Sequence, residues 1–147
     1  MAISWKMDVG INNVPAYQVS GRPYATGSVN STVTSKITFP FVTRWVIIVN
    51  NDTSNACKVG FSAAGLRATS DKSNYFMVGK ADATGQPRES QRLELKVSEL
   101  HFATSTNFDI IAGLTTIPSQ RTQMGTSSIA PTTGQTLHSW SGSVGVG

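Results

Sequence analysis

The fold is decided by the apolar run FPFVTRWVIIV, which occupies Phe39–Val49. Its second half carries apolar side chains on both faces of an extended chain, whereas a strand with one solvated face alternates apolar and polar residues. Pro40 interrupts the run near its start, and the turn-forming string Asn50–Asn55 follows its end. We therefore expect a central β-strand that is covered on both sides.

Alternation of apolar and polar residues with a period of two recurs along the chain, and it indicates further strands. No window of a dozen residues has the apolar spacing of an amphipathic helix. The pattern predicts an antiparallel all-β sandwich of six or seven strands between residues 29 and 117. The main predicted strands are Val29–Phe39, Phe41–Val49, Cys57–Phe61, Tyr75–Val78, Arg92–Ser98 and Phe108–Ile117.

The apolar positions change parity near Ser98. Leu95 and Val97 precede this point at odd positions, whereas Leu100 and Phe102 follow it at even positions. A shift of one residue moves side chains to the opposite face of a strand. The sequence therefore predicts either a bulge or a sharp bend between two sheets at this place.

Composition divides the chain into a core and two arms. Residues 1–28 form the predicted N-terminal arm, with one short strand near Ile3–Val9, and residues 29–117 form the sandwich core. Residues 118–147 are dominated by Ser, Thr and Gly, which is typical of a flexible or draped C-terminal arm. A chain of 147 residues with 39% apolar residues suits one core of this size.

Charge and targeting signals narrow the classes of function. The net charge is +4, but only 14% of the residues are charged and the basic residues form no cluster, so a nucleic-acid reader is not indicated. No stretch is long and apolar enough for a membrane span, and the absence of a signal-peptide pattern predicts a cytosolic origin. A surface this poor in charge indicates that much of it contacts other protein.

Residue types that carry chemistry show no motif. The eight carboxylates have no spacing that suggests a catalytic pair, and His101 and His138 provide neither a metal-ligand pattern nor a catalytic triad. His101 is interpreted as an outward strand side chain, and Cys57 as a small buried apolar group. The sequence therefore predicts no catalytic residue, no metal site and no cofactor, and hence no enzyme.

Two weaker signals concern carbohydrate. Asn30 and Asn51 each begin an N-x-Ser/Thr triplet, although such triplets arise by chance in a polar chain. Five aromatic residues could form a platform on which sugars stack, or could anchor the arms in grooves of neighbouring subunits. These residues are Trp5, Tyr17, Tyr24, Tyr75 and Trp140.

The strand pattern from Thr38 to Ile117 resembles the single jelly-roll vertex (penton) proteins of large icosahedral double-stranded DNA viruses. The resemblance covers about 80 residues and rests on strand pattern rather than on a catalytic signature. The Ser/Thr/Gly-rich C-terminal arm is not part of the pattern. The segments that carry the resemblance are Phe39–Thr43, Trp45–Asn51, Val59–Ser62, Leu93–Phe102 and Phe108–Ile117.

The resemblance implies an eight-stranded jelly roll that forms a homopentamer at each fivefold vertex of an icosahedral capsid. It also implies trimers of a larger double jelly-roll capsid protein as neighbours, with minor capsid proteins as further partners. The location would be the virion, after synthesis in the host cytoplasm, without a cofactor or specific nucleic acid. A lectin-like or receptor-binding β-sandwich stays open as the alternative, and a β-sandwich enzyme would need a polar pocket that the sequence does not indicate.

Overall fold

The structure, a computed structural model, describes residues 21–67, 73–119 and 145–146. These residues contain eight β-strands and no α-helix. The strands are β1 (Arg22–Val29), β2 (Lys36–Thr38), β3 (Phe41–Asn50), β4 (Cys57–Gly60), β5 (Tyr75–Val78), β6 (Arg88–Glu89), β7 (Glu99–Ala103) and β8 (Phe108–Pro118).

The strands form two antiparallel sheets of four strands each. Sheet A has the order β1-β8-β3-β6, and sheet B has the order β2-β7-β4-β5. The first strand pairs with the eighth, the second with the seventh, the third with the sixth and the fourth with the fifth. This is the connectivity of one long hairpin rolled into two layers, which is a jelly roll. The predicted antiparallel sandwich is confirmed.

The core lies between the inner faces of the two sheets. In β3, Val46 and Ile48 are fully buried, as expected for the central part of the apolar run. Phe102 of β7 stacks on Phe108 of β8 with 4.6 Å between ring centroids, so that one aromatic pair joins sheet B to sheet A. Burial of each such side chain stabilises the fold by about 1.5–3 kcal/mol.

The predicted change of parity near Ser98 is a crossing between the sheets. Before it, residues 90–97 run beside β3, where Leu93 and Val46 exchange two backbone hydrogen bonds of 2.9 Å. After it, β7 pairs with β2 and β4 in sheet B. The apolar side chains before Ser98 therefore enter the core from the side of sheet A, and those after it enter from sheet B. The predicted bend between two sheets is confirmed.

The segment Arg92–Ser98 was predicted to be a regular strand, and this is wrong. It makes a single isolated β-bridge, between Leu93 and Val46. Further along, the hydroxyl of Thr43 donates to Leu95 O at 2.6 Å and accepts from Val97 N at 3.0 Å. A side chain thus takes the place of ladder hydrogen bonds, next to a register shift between β3 and β8 at Thr43.

The strand predicted over Val29–Phe39 is also shorter than expected: Val29 is the last residue of β1, and within residues 30–39 only Lys36–Thr38 is extended and paired. Asn30 begins a turn in which its carboxamide oxygen accepts hydrogen bonds from the N–H and hydroxyl of Thr32. Such a local side-chain cap competes with the strand ladder. As a result Val33, which was expected to face inward, is 83% exposed.

The predicted arms include one strand of the jelly roll. β1, at Arg22–Val29, lies in the segment assigned to the N-terminal arm except for its last residue, yet it pairs with β8. Its side chains are mostly small or polar, and its contribution to the core comes from Val29 and from Tyr24, whose ring packs edge-on against Phe39 at 5.0 Å. The predicted strand near Ile3–Val9 lies outside the described residues.

The end of the C-terminal arm contacts the loop after β4. The hydroxyl of Ser62 donates to Val146 O at 2.7 Å and accepts from Gly65 N at 2.9 Å. A Cβ atom on Gly65 would fall on the carbonyl oxygen of Val146, so the close approach of the two backbones requires glycine there. Residues 120–144 of this arm, with His138 and Trp140, lie outside the described residues.

Candidate functional site

The outward-facing side of sheet A carries an apolar patch across three adjacent strands. In one row of paired residues, Ala25 of β1 and Ile47 of β3 lie on either side of Ile111 of β8. The next row places Pro23 and Trp45 on either side of Gly113. We call this surface the outer A face, and its apolar side chains are Pro23, Ala25, Trp45, Ile47, Val49 and Ile111.

The outer A face is partly open to solvent. Ile111 is 43% exposed, and Trp45 and Ile47 are only partly buried. In an antiparallel sandwich the outward positions are normally polar. The central run was predicted to be covered on both sides, but only its inward side chains are fully buried. Large contiguous apolar surfaces on soluble proteins commonly mark interaction sites, which makes this face a candidate site.

Charged residues surround this apolar centre. The guanidinium of Arg92 lies 5.1 Å from the centroid of the Trp45 ring, and its Nε is 2.8 Å from a carboxylate oxygen of Glu94. At the opposite margin Asp109 accepts hydrogen bonds from Ser28 N at 2.7 Å and from the Asn51 carboxamide at 2.8 Å. An apolar centre with a polar margin is the usual arrangement of a protein–protein interface.

Each open side of the sandwich has a groove between the edge strands of the two sheets. The groove between β5 and β6, here called the β5–β6 groove, has a volume of about 550 Å³. Phe76, Met77 and Leu93 provide its apolar lining, and Met77 is 56% exposed. Lys80 and Arg88 are among its polar lining residues.

The groove on the other side, between β1 and β2, is more polar. This β1–β2 groove has a volume of about 510 Å³ and includes the partly buried Tyr24, whose hydroxyl has a pKa raised by burial. Tyr75 lies elsewhere, beneath the ammonium group of Lys58 at 4.8 Å, so the two tyrosines do not form one platform. Trp5, Tyr17 and Trp140 lie outside the described residues. The polar side chains of the groove are Thr26, Ser28, Asn30, Thr34, Lys36 and Thr38.

A buried polar network fastens the loops at one end of the sandwich. The carboxamide of Asn50 donates to Asn55 O at 2.9 Å and to Gly79 O at 3.0 Å, and it accepts from the Ser105 hydroxyl at 2.8 Å. Asp52 accepts from the backbone N–H of Thr106 at 2.8 Å. This bond is the main reason that the pKa of the Asp52 carboxyl is lowered far below its ordinary value, with further bonds adding to it. The network holds loops together and its donors and acceptors bond one another.

His101 and Cys57 are both buried. His101 lies on the outward face of sheet B, as predicted, because it alternates with the core residues Leu100 and Phe102; it is nevertheless only 9% exposed, and its Nε2 lies 3.3 Å from a carboxylate oxygen of Glu99. The other oxygen of Glu99 lies 3.5 Å from the ammonium nitrogen of Lys36. Cys57 is buried as predicted, and burial, assisted by the negative charge of Asp52, raises the pKa of its thiol to about 12. The thiol is therefore protonated at neutral pH and is not a nucleophile.

Comparison with protein-family models, curated proteins and solved structures finds no match to this chain. The assignment of the fold therefore rests on its strand order and register. Within residues 21–67, 73–119 and 145–146, no three His, Cys, Asp or Glu side chains are grouped so as to hold a metal ion. The same residues contain no helix of the length and apolarity that crossing a membrane requires.

Proposed function

We propose that this protein is a structural capsid protein that forms the pentameric vertex of an icosahedral shell. The observation that carries the proposal is the outer A face, on which Trp45, Ile47 and Ile111 present a contiguous apolar surface to solvent. Water exposure of this surface is unfavourable by roughly 25 cal/mol per Å² of apolar area, so a partner that covers it gains that free energy. The jelly roll and the resemblance of residues 38–117 to vertex proteins support a second copy as this partner.

The remaining parts of the proposal follow from its assembly role. Trimers of a larger capsid protein would surround the pentamer, with minor capsid proteins as further contacts, and the protein would reside in the virion after synthesis in the host cytoplasm. The two predicted arms, residues 1–28 and 118–147, would extend the contacts of the ring, since a stable interface buries about 800 Å² on each partner and the outer A face is only three strands wide.

Native mass spectrometry of the purified full chain tests the proposal. We expect a pentamer for the natural sequence and a monomer for Ile111→Lys, because a charge in the centre of the apolar face would be buried without a partner. Thr53→Lys, at an exposed loop position, adds the same charge as a matched control and should stay pentameric. A protein that is strictly monomeric at high concentration and absent from purified particles would contradict the proposal.

A lectin-like module is the second candidate, because the β1–β2 groove combines an aromatic residue with several hydroxyl groups. A glycan array with the full chain tests it. If the groove binds sugar, Tyr24→Phe and Thr26→Ala should each weaken binding several-fold, since each removes one hydroxyl and leaves the fold intact. Tyr75→Phe removes a hydroxyl outside the groove and serves as the control. No glycan binding, or equal loss with the control, would count against this candidate.

A further inference from the structure

A pentameric ring places a geometric condition on the partner of the outer A face. Every contact in a ring of five is heterologous, so one surface of each copy meets a different surface of the next. The outer A face therefore cannot pack against itself in such a ring. The inference below rests on the proposed function, and it concerns which surface of the neighbouring copy covers Trp45, Ile47 and Ile111.

The directions in which the two sheets face exclude the outward face of sheet B as the partner of the outer A face. In a ring of five the two contact surfaces of a subunit face directions about 108° apart, the interior angle of a regular pentagon. The outward faces of sheets A and B point in opposite directions, because the sheets are the two layers of one sandwich. Contacts between those two faces would stack copies into a filament. A side of the sandwich, where one edge strand of each sheet lies, faces roughly at right angles to the outer A face.

The chemistry of the two sides then separates the two grooves. The β1–β2 groove includes the exposed side chain of Val33, but most of its lining side chains are polar, and their polar groups lose hydrogen bonds to water when an apolar surface covers them. The β5–β6 groove contributes Phe76, Met77 and Leu93, and Met77 is one of the most exposed large apolar side chains among the described residues. Apolar surface against apolar surface is the favourable combination.

Charge and a free strand edge are compatible with the β5–β6 groove but do not separate it from the other, because Lys36 and the edge strand β2 give the β1–β2 groove the same two features. Lys80, Arg88 and Glu89 give the lining of the β5–β6 groove an excess of one positive charge, whereas Asp109 lies at the margin of the outer A face beside Val49. β5 pairs with β4 on one side only, so its other edge presents backbone N–H and C=O groups toward a neighbour. Contact with the next copy would cover this edge.

We infer that the outer A face of each copy packs into the β5–β6 groove of the next copy around the ring. Ile111, at the centre of the face, then lies close to Met77 of the neighbour. Each copy uses its face once and its groove once, so all ten surfaces of five copies are covered when the ring closes. The second open side of the sandwich, with the β1–β2 groove, is left free of the ring contact.

Engineered cysteines test this pairing. The only natural cysteine, Cys57, is fully buried and does not compete. Ile111→Cys is co-expressed with Met77→Cys, or with Gln91→Cys on the other wall of the groove, and the oxidised protein is separated on a non-reducing gel. We expect a dimer band from the mixed variants, none from any single variant, and a ladder that ends at five when both cysteines are in one chain.

Each other outcome overturns the inference in a recognisable way. A dimer from Ile111→Cys alone would show that the face meets itself. A cross-link within one chain between Trp5→Cys and Ile111→Cys would show that the N-terminal segment covers the face. A pentamer of the natural sequence with no face-to-groove cross-link would leave the proposed function standing and remove this interface, whereas a strict monomer absent from particles would remove both.

Discussion

The two sides of β3 have similar composition and different roles. Val46 and Ile48 face inward and are fully buried, whereas Ile47 and Val49 face outward and are partly buried on the outer A face. A sequence pattern does not separate these two sides, because both are apolar. The inward side stabilises the fold of one copy, whereas the outward side leaves apolar surface partly open to solvent, where the proposed second copy would bind.

The largest expected effect is the loss of an inward side chain. Ile48→Ala removes buried methyl groups and leaves a cavity between the sheets, so we expect the free energy of unfolding to fall by about 3 kcal/mol. Urea unfolding followed by fluorescence measures the change. A fall below about 1 kcal/mol would show that the two sides of β3 do not differ in the way described.

The loop that follows β3 contains Asp52, and this residue predicts that stability depends on pH. The pKa of Asp52 is lowered in the folded protein, so its carboxylate stabilises the fold above the pKa of the unfolded chain, about 3.9, and this stability is lost as the pH falls further. Asp52→Asn should remove about 2 kcal/mol at neutral pH and flatten the decline of stability below pH about 4. Urea unfolding from pH 7 to pH 2 measures both. An unchanged pH profile in the variant would contradict the role given to Asp52.

The sequence predicts the elements whose side chains carry a strong pattern. β3 and β8 are long and apolar, and the crossing at Ser98 appears as a change of parity in the apolar positions. β1 was missed because it is rich in small and polar residues and is held mainly by its pairing with β8. The segment Arg92–Ser98 was assigned as a strand because its alternation is clear, although Thr43 replaces part of the ladder.

The sequence predicts only part of the candidate site. The apolar residues on both faces of β3 are interpreted, from the sequence, as burial on both sides. Recognition of the outer A face requires the register that places Ala25, Ile111 and Ile47 side by side, and this register depends on the pairing of strands far apart in the chain. The burial of His101 likewise depends on neighbours that its local sequence does not reveal.

A smaller effect on the free energy of unfolding is expected at the contact between the loop after β4 and the C-terminal residues. Gly65→Ala places a methyl group against the carbonyl oxygen of Val146, so the C-terminal residues must move away from the loop after β4. We expect a loss of about 1 kcal/mol, the value of one hydrogen bond, and faster amide exchange at residues 145–146. Gly79→Ala is the control, since the nearest atom to its Cβ would be 3.9 Å away. Equal exchange in the two variants would argue against the contact.

The smallest effect on stability should come from the outward side of β3, and it is the decisive one for the comparison. Ile47→Ala removes a side chain that is only partly buried in the isolated copy, so the free energy of unfolding of a monomer should change by less than about 1 kcal/mol. The same substitution removes apolar contact from the centre of the proposed ring interface, so dissociation of the pentamer should begin at a protein concentration at least tenfold higher. Unfolding and dissociation are measured on the same variant by urea titration and by dilution in native mass spectrometry. If Ile47→Ala instead destabilised the monomer as much as Ile48→Ala while leaving assembly unchanged, the outer A face would belong to the core of one copy, and the assignment of the two sides would be reversed.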